Sequence, residues 1–371
     1  MGLFSEWRRA WQDKWLFASL TWAPILVVGL VWWIFSSSIA RDLPVGIVDH
    51  ESSAMSAEFV RFLDATDTLT VSGYYPSEQE AAKALRGGDI YAYVSIPLDF
   101  DRDVYLSNPP QVSVLYNSQF ILVGKLINSA VLKATGTFDV MVETGKNLSK
   151  GNALTKSALG QAVSVQTQIT PLFNLNSNYA QFLVSAIVPA IWQITIFVST
   201  ILALGMHQRL GTFSRDFTAK QLFPILACYV PIFLGLGVAF LLWMYGVLGW
   251  PMQGSFLVLT LGQLITVIAC MLVAALFFFV TMDPARAMSL AAALTAPSFA
   301  FMGVTFPATD MNHLALIWRS LLPISHYIEM QISQVSYGAD AITSISHLTP
   351  MLAYLLVAVL LYRVVPKKVA Q

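Results

Sequence analysis

LFPILACYVPIFLGLGVAFLLWMYGVLGWPMQGSFLVLTLGQLITVIACMLVAALFFFVTM, the stretch from Leu222 to Met282, contains no Asp, Glu, Lys or Arg. A helix that crosses a bilayer needs about 20 apolar residues. The stretch is therefore long enough for two, with Gly249-Trp250-Pro251-Met252-Gln253-Gly254 as the turn between them. It also sets the solvent for much of the chain. Of 371 residues, 56% are hydrophobic and 11% charged, against about 25% charged in a soluble domain. That leaves too little polar surface to cover a water-soluble globule of this size.

Working outward, four more apolar runs complete a set of six: Leu16 to Phe35, Tyr179 to Met206 with Pro189 inside it, Ala287 to Phe306 interrupted by Pro297, and Leu348 to Val365 closed by Pro366-Lys367-Lys368. The first run competes with a signal-peptide reading, since Ser38-Ile39-Ala40 resembles a small-residue cleavage site. A signal core spans roughly 7–15 residues, so an uncleaved first span is the better fit. Ahead of it, Leu3, Phe4, Trp7, Trp11 and Trp15 set against Arg8, Arg9 and Asp13 suggest a short amphipathic helix lying on the membrane surface. Cys228 and Cys270 fall inside spans and read as small buried apolar residues, with neither a disulfide framework nor a metal cluster implied. The scattered His207, His313, His326 and His347 read as packing or interfacial residues.

Between the first two spans the composition changes. Arg41 to Asn178 holds 24 of the 42 charged residues, 10 basic and 14 acidic. Pro44-Val45-Gly46-Ile47-Val48-Asp49, Leu69 to Val71, Ile90 to Ile96 and Val112 to Tyr116 read as strands. Helices starting near Ser52 or Ser53 and near Ser77 alternate with them, the second ending at Gly87-Gly88. That alternation describes a small α/β layer. Helical patterns from Gln119 to Lys146 and from Ala153 to Ile169 suggest a stalk.

Lys and Arg are retained on the cytoplasmic side. The N-terminus, the loop around Gln208 to Gln221, the Asp283 to Arg286 turn and the C-terminus together carry ten Lys or Arg against four acids, whereas Pro307 to His347 carries only Arg319. The expected fold is an α-helical polytopic membrane protein of six transmembrane helices with both termini cytoplasmic and an extracytoplasmic α/β domain between spans 1 and 2. Residues 1–15 form the interfacial helix, 16–37 the first transmembrane helix, and 38–178 the outer (periplasmic) α/β domain with its helical stalk. Residues 179–371 form transmembrane helices 2–6, with a cytoplasmic loop at 207–221 and a re-entrant segment at 307–347.

No Gly-x-x-x-x-Gly-Lys-Ser/Thr phosphate loop occurs, so the chain is not its own ATPase of that class. The spans lack the carboxylates on which ion-driven carriers depend, and no catalytic constellation points to an enzyme. Neutral charge implies no nucleic-acid partner. By elimination, energy for transport comes from a separate cytoplasmic subunit. A membrane-anchored binding or sensor protein is the rival reading, although six spans without a cytoplasmic output domain are more than an anchor needs.

Three groups of residues carry a family resemblance. Met206-His207-Gln208-Arg209-Leu210-Gly211-Thr212-Phe213 runs straight off the second span, followed by Arg215 and Lys220. Taken alone it is a positive loop that fixes topology. Its position resembles the coupling helix of the ABC type-2 (ABC-2) exporter permeases, where an acidic-rich stretch precedes a Gly-Thr pair. Gly211 and Thr212 match, while His207, Gln208 and Arg209 stand where glutamates are usual. Gly303-Val304-Thr305-Phe306-Pro307, Met311-Asn312 and Leu321-Leu322-Pro323-Ile324-Ser325-His326-Tyr327 resemble the end of the family's fifth span and the loop after it. Pro44 to Asp49, Ala84-Leu85-Arg86-Gly87-Gly88 and Ile96-Pro97-Leu98-Asp99-Phe100 resemble the branch with a large outer domain.

The resemblance implies a permease of the bacterial inner membrane, working as a dimer with an identical or paralogous chain. Two ATPase subunits would dock beneath it, carrying the ATP and Mg, with no cofactor on this chain. Members of this branch often pair with a periplasmic adaptor. Arg209, Gly211, Thr212, Phe213 and Arg215 would transmit ATPase closure. Phe299, Phe301, Met302 and Phe306 would form an outer gate, with Pro307, Pro323 and Tyr327 in the re-entrant region, although aromatics at helical spacing are more often plain packing. The acid-free interior favours a lipophilic or amphipathic cargo, in contact with membrane lipids.

Overall fold

The structure is a computed structural model describing residues 3–36, 40–106, 108, 110–149 and 178–369. Two compact units divide the chain, one of residues 39–170 and the other of residues 1–38 with 171–371.

The membrane unit begins with α1 (Leu3–Gln12), which gives way at residue 13 to α2 (Lys14–Leu20) because the Asp13 side chain accepts from Trp15 N at 3.1 Å and Leu16 N at 3.2 Å. The single helix expected over residues 1–15 is thus two helices, the second carrying on into the apolar run. α2 meets α3 (Trp22–Phe35) at a bend of 44°. Pro24 has no N–H for the Leu20 carbonyl, and a bend is the usual consequence.

In the insert unit, β1 (Leu43–Asp49), β2 (Leu69–Tyr74), β3 (Ala92–Ile96) and β4 (Ser113–Tyr116) form one sheet in the order β2-β1-β3-β4. β1 runs parallel to β2 and β3, and β4 is antiparallel to β3. Alternate residues of a strand face opposite sides. Leu43, Val45, Ile47, Ala92, Val94 and Ile96 accordingly join one core, and Val48 and Tyr93 the other. The first core lies beneath α4 (Ala54–Asp64), α6 (Phe100–Tyr105) and α7 (Ile121–Ser149), where Phe138 sits 5.2 Å from Phe59 and 6.0 Å from Phe100. α5 (Glu78–Gly87) covers the second. Ser53 caps α4 through a reciprocal pair with Ser56, and Gly88 ends α5 at a φ of 84°. The Ala153 to Ile169 helix of the sequence reading lies outside the described residues.

The membrane unit resumes at α8 (Tyr179–Arg209), which buries Trp192, Ile196, Phe197, Ile201 and Leu204 in the bundle core. α9 (Ala219–Ala227) and α10 (Val230–Leu241) continue each other through a break at Cys228-Tyr229, and a π-helical turn, Leu242–Val247, follows. Then come α11 (Phe256–Thr281), α12 (Pro284–Thr295), α13 (Ser298–Phe301), α14 (His313–Ser320), α15 (Pro323–Val335), α16 (Ala341–Ser346) and α17 (Tyr354–Val369).

Among the described residues, four helical stretches are long and apolar enough to cross a membrane: Tyr179–Arg209, Ala219–Val247, Phe256–Thr281 and Ala341–Val369. The bent pair α2 and α3 makes a fifth if taken as one span. The fifth span of the sequence reading, Ala287 to Phe306, is not one continuous helix. α12 ends at Thr295, Pro297 breaks the ladder, and only the four residues of α13 follow.

Candidate functional site

The loop after α8 starts with a helix stop of defined geometry. Gly211 takes a φ of 68°, a left-handed conformation that costs any residue with a Cβ. From it, Gly211 N donates to Gln208 O at 3.1 Å and Thr212 N to His207 O at 3.0 Å. These are the two hydrogen bonds of a Schellman stop, which satisfy carbonyls the helix leaves open. The Gly-Thr pair is therefore explained locally: glycine turns the chain, and the threonine hydroxyl then lies 3.1 Å from His207 Nδ1.

The other ring nitrogen of His207 leads to the N-terminus of the chain. His207 Nε2 lies 2.7 Å from Glu6 Oε1, which also accepts from the Tyr229 hydroxyl at 2.8 Å. Glu6 and His207 are 1% and 0% exposed, so neither side chain can fall back on water as a partner. Burial raises the Glu6 carboxyl, but its hydrogen bonds to His207 and Tyr229 and its electrostatic attraction to His207 and Arg9 outweigh this and hold it below its ordinary value. Next to Glu6, Trp7 Nε1 donates to the Cys228 carbonyl at 2.9 Å. That carbonyl is open because Ile232 N turns to Tyr229 O, at 3.1 Å, across the α9–α10 break. Further along, Asp13 is ion-paired with Arg209.

α1 thus presents an unexpected face to the protein. Glu6 and Ala10 are buried, while Phe4 and Trp11, and Trp15 just beyond it on α2, are exposed by 83%, 66% and 78%. The aromatic side points away from the bundle, as suits a helix whose apolar face meets headgroups rather than protein.

Phe213 reaches the same corner, with ring centroids 4.8 Å from Phe217, 5.3 Å from Phe279 and 5.9 Å from Phe278. Gln208 Nε2 donates to the Met282 carbonyl at 2.9 Å. Of the coupling residues read from sequence, Arg209, Gly211, Thr212 and Phe213 are anchored here. Arg215 is exposed on the loop, with no ion pair among the described residues. Glu6, His207 and Tyr229 as a linked set escaped the sequence reading.

The re-entrant residues gather elsewhere. Met302, Leu322, Ile324, Tyr327 and Ile328 are buried together with Phe299 and Phe301 packed against them, while Phe306 and Pro307 are exposed outside that cluster. Pro323 is buried at the start of α15, and the next amide, Ile324 N, donates to Gln193 Oε1 on α8 at 3.1 Å. Four residues ahead of Pro189, the Ser185 carbonyl lacks its helical donor. Gln331 Nε2 supplies one from α15 at 2.9 Å. Two glutamines therefore pin α15 to α8. Arg319, buried to 6% exposure, is ion-paired with Glu329.

A bundle of long apolar helices with a sheet-bearing insert defines a multi-pass membrane protein. A family model described as ABC-2 family transporter protein matches residues 14–363, and the chain belongs to that family. No curated protein and no solved structure matches it. Family membership makes it the membrane subunit of an ABC transporter and implies an ATPase partner.

Proposed function

We propose that the chain is the permease of an ATP-driven exporter in a bacterial inner membrane. It crosses six times with both termini cytoplasmic and moves a lipophilic or amphipathic substrate outward. The sheet-bearing insert lies on the far side, where it meets an adaptor or caps a dimer of two permease chains. ATP and Mg belong to separate ATPase subunits, which meet the loop 207–221.

The observation that carries this reading is the anchoring of that loop. Glu6–His207, Asp13–Arg209, Gln208–Met282 and the Phe213 cluster join it to α1, α8, the α9–α10 break and the end of α11. A push on the exposed Arg215 region is handed to several helices at once, as a coupling element requires. The positive charge of the loop and termini supports placing this corner in the cytoplasm.

Purification from native membranes in mild detergent, with mass spectrometry of retained proteins, tests the reading. An ATPase bearing a phosphate loop is expected, and its loss when Gly211→Val and Thr212→Ala are combined in an otherwise folded permease. A chain recovered alone, under conditions that preserve a known transporter complex, would instead favour an anchored binding or sensor protein.

A further inference from the structure

The segment from residue 3 to residue 15 sorts its charges by direction. Both of its acids turn toward the protein. Glu6 is buried against His207 and Tyr229, and Asp13 is ion-paired with Arg209 while it caps α2. Arg9 is half-buried, 4.0 Å from Glu6. The two other bases, Arg8 and Lys14, are exposed, and neither has an ion pair among the described residues.

The aromatic residues share this exposure. On α1, Phe4, Arg8 and Trp11 stand at i, i+4 and i+7, which is one stripe of a helix, and all three are exposed. Lys14 and Trp15 follow at the start of α2. Trp11 and Phe17 bring their rings to 5.1 Å across the bend, which ties the two helices together. Because α2 leads directly into the apolar α3, the stripe is held beside the bilayer rather than out in solvent.

Such a face has a definite chemistry. Tryptophan and phenylalanine settle where headgroups meet acyl chains. An arginine set between them lies at phosphate depth, with a planar fork of donors suited to phosphate oxygens. A zwitterionic headgroup brings no net charge to balance Arg8 and Lys14. An anionic one does, and both acids of the segment are turned away from it. Attraction to an anionic leaflet is worth roughly fivefold in affinity for each nearby Lys or Arg.

We propose that Arg8 and Lys14, flanked by Phe4, Trp11 and Trp15, bind anionic phospholipid headgroups, and that this binding sets how firmly α1 holds loop 207–221. The proposal rests on placing this corner in the cytoplasm, where it faces the inner leaflet. The inward side of the same helix makes the link. Glu6 and Asp13 hold His207 and Arg209 at the end of α8. Lipid that presses α1 onto the bundle keeps both pairs made, and a helix that lifts away strains them.

Hydrogen exchange of the full-length protein in nanodiscs, read by mass spectrometry, tests this. One set of discs is phosphatidylcholine alone, and in the other a quarter is replaced by phosphatidylglycerol. Exchange in residues 3–12 is expected to be several-fold slower in the anionic discs, with residues 207–217 following and α11 unchanged. Arg8→Gln combined with Lys14→Gln should abolish the difference. The charge-matched Lys367→Gln with Lys368→Gln at the end of α17 should preserve it. Equal exchange in the two lipids would overturn the proposal and assign this face to a protein partner instead. Loss of the difference in both double variants would also overturn it, as a bulk charge effect. A loop that ignores the lipid while α1 responds would overturn the link to 207–221. The discs contain neither ATPase nor substrate, so the outcome does not depend on whether the chain exports.

Discussion

The Glu6 carboxylate and the His207 imidazole, 201 residues apart in sequence, lie 2.7 Å apart and are almost wholly buried. One belongs to the first helix of the chain and the other to the last turn of α8. Their contact makes α1 part of the machinery that positions loop 207–221. Glu6→Ala leaves the His207 ring and the Tyr229 hydroxyl without their shared partner, at an expected cost of about 1–3 kcal/mol. A thermal-melt cycle of Glu6→Ala, His207→Ala and the double variant is expected to show non-additive losses, and additive ones would mean the contact contributes nothing.

Acid sensitivity follows from the same residue. A carboxyl held below its ordinary value of 4.5 lends stability that is complete above that value. That stability fades as pH falls through the lower, folded value. Melting temperature measured against pH is therefore expected to drop at acid pH in the native protein, and to drop less in Glu6→Gln, which has no carboxyl to protonate.

The pair Asp13–Arg209 is of another kind, because Arg209 is 60% exposed and water screens it. Breaking it with Arg209→Glu is expected to cost less than about 1 kcal/mol of stability while reducing transport. Asp13→Lys in the same chain restores the opposite charges and is expected to recover part of the transport. A double variant no better than the single one would show that the pair does not position the loop.

Gln331 and Pro189 make a sharper test of packing. Gln331→Leu orphans the Ser185 carbonyl and is expected to lower stability by about 1–3 kcal/mol. Pro189→Ala gives that carbonyl a helical N–H again, so the double variant should suffer less from the loss of Gln331 than the single one. Equal losses in both backgrounds would contradict the pairing.

At the re-entrant cluster the expected outcomes separate packing from gating. Met302 is 1% exposed, and Met302→Ala is expected to cost about 2–5 kcal/mol. Phe306 is 50% exposed, so Phe306→Ala should leave the melt unchanged. Any leak or altered export in that variant would identify an outer gate, and unchanged export without a leak would remove the idea.

Much of the architecture was legible because composition and period reveal it. The uncharged Leu222 to Met282 stretch had to leave water, and Pro44 to Asp49 read as a strand of a small α/β layer, as β1 is. Pro189 announced an open carbonyl, but nothing in the sequence pointed to Gln331 as the group that closes it. Glu6 was equally silent. The amphipathic pattern of residues 3–15 was visible and read as a helix on the membrane surface, but it gave no sign that the opposite face buries Glu6 against His207 and Tyr229. Partners that join distant segments through one polar atom each leave no periodic trace. The interruption at Pro297 was visible, but hydropathy counts apolar residues and gave no sign that α12 already ends at Thr295 with only four helical residues beyond it.

The central claim is that loop 207–221 meets an ATPase, and a photo-crosslinking amino acid placed at Arg215 in native membranes tests it most directly. The account predicts an adduct containing a protein with a phosphate-loop motif, lost when Gly211→Val distorts the loop and missing when the probe is moved to the exposed Leu257 at the start of α11. An unmodified chain at position 215, in membranes where a known transporter crosslinks to its own ATPase, would contradict it.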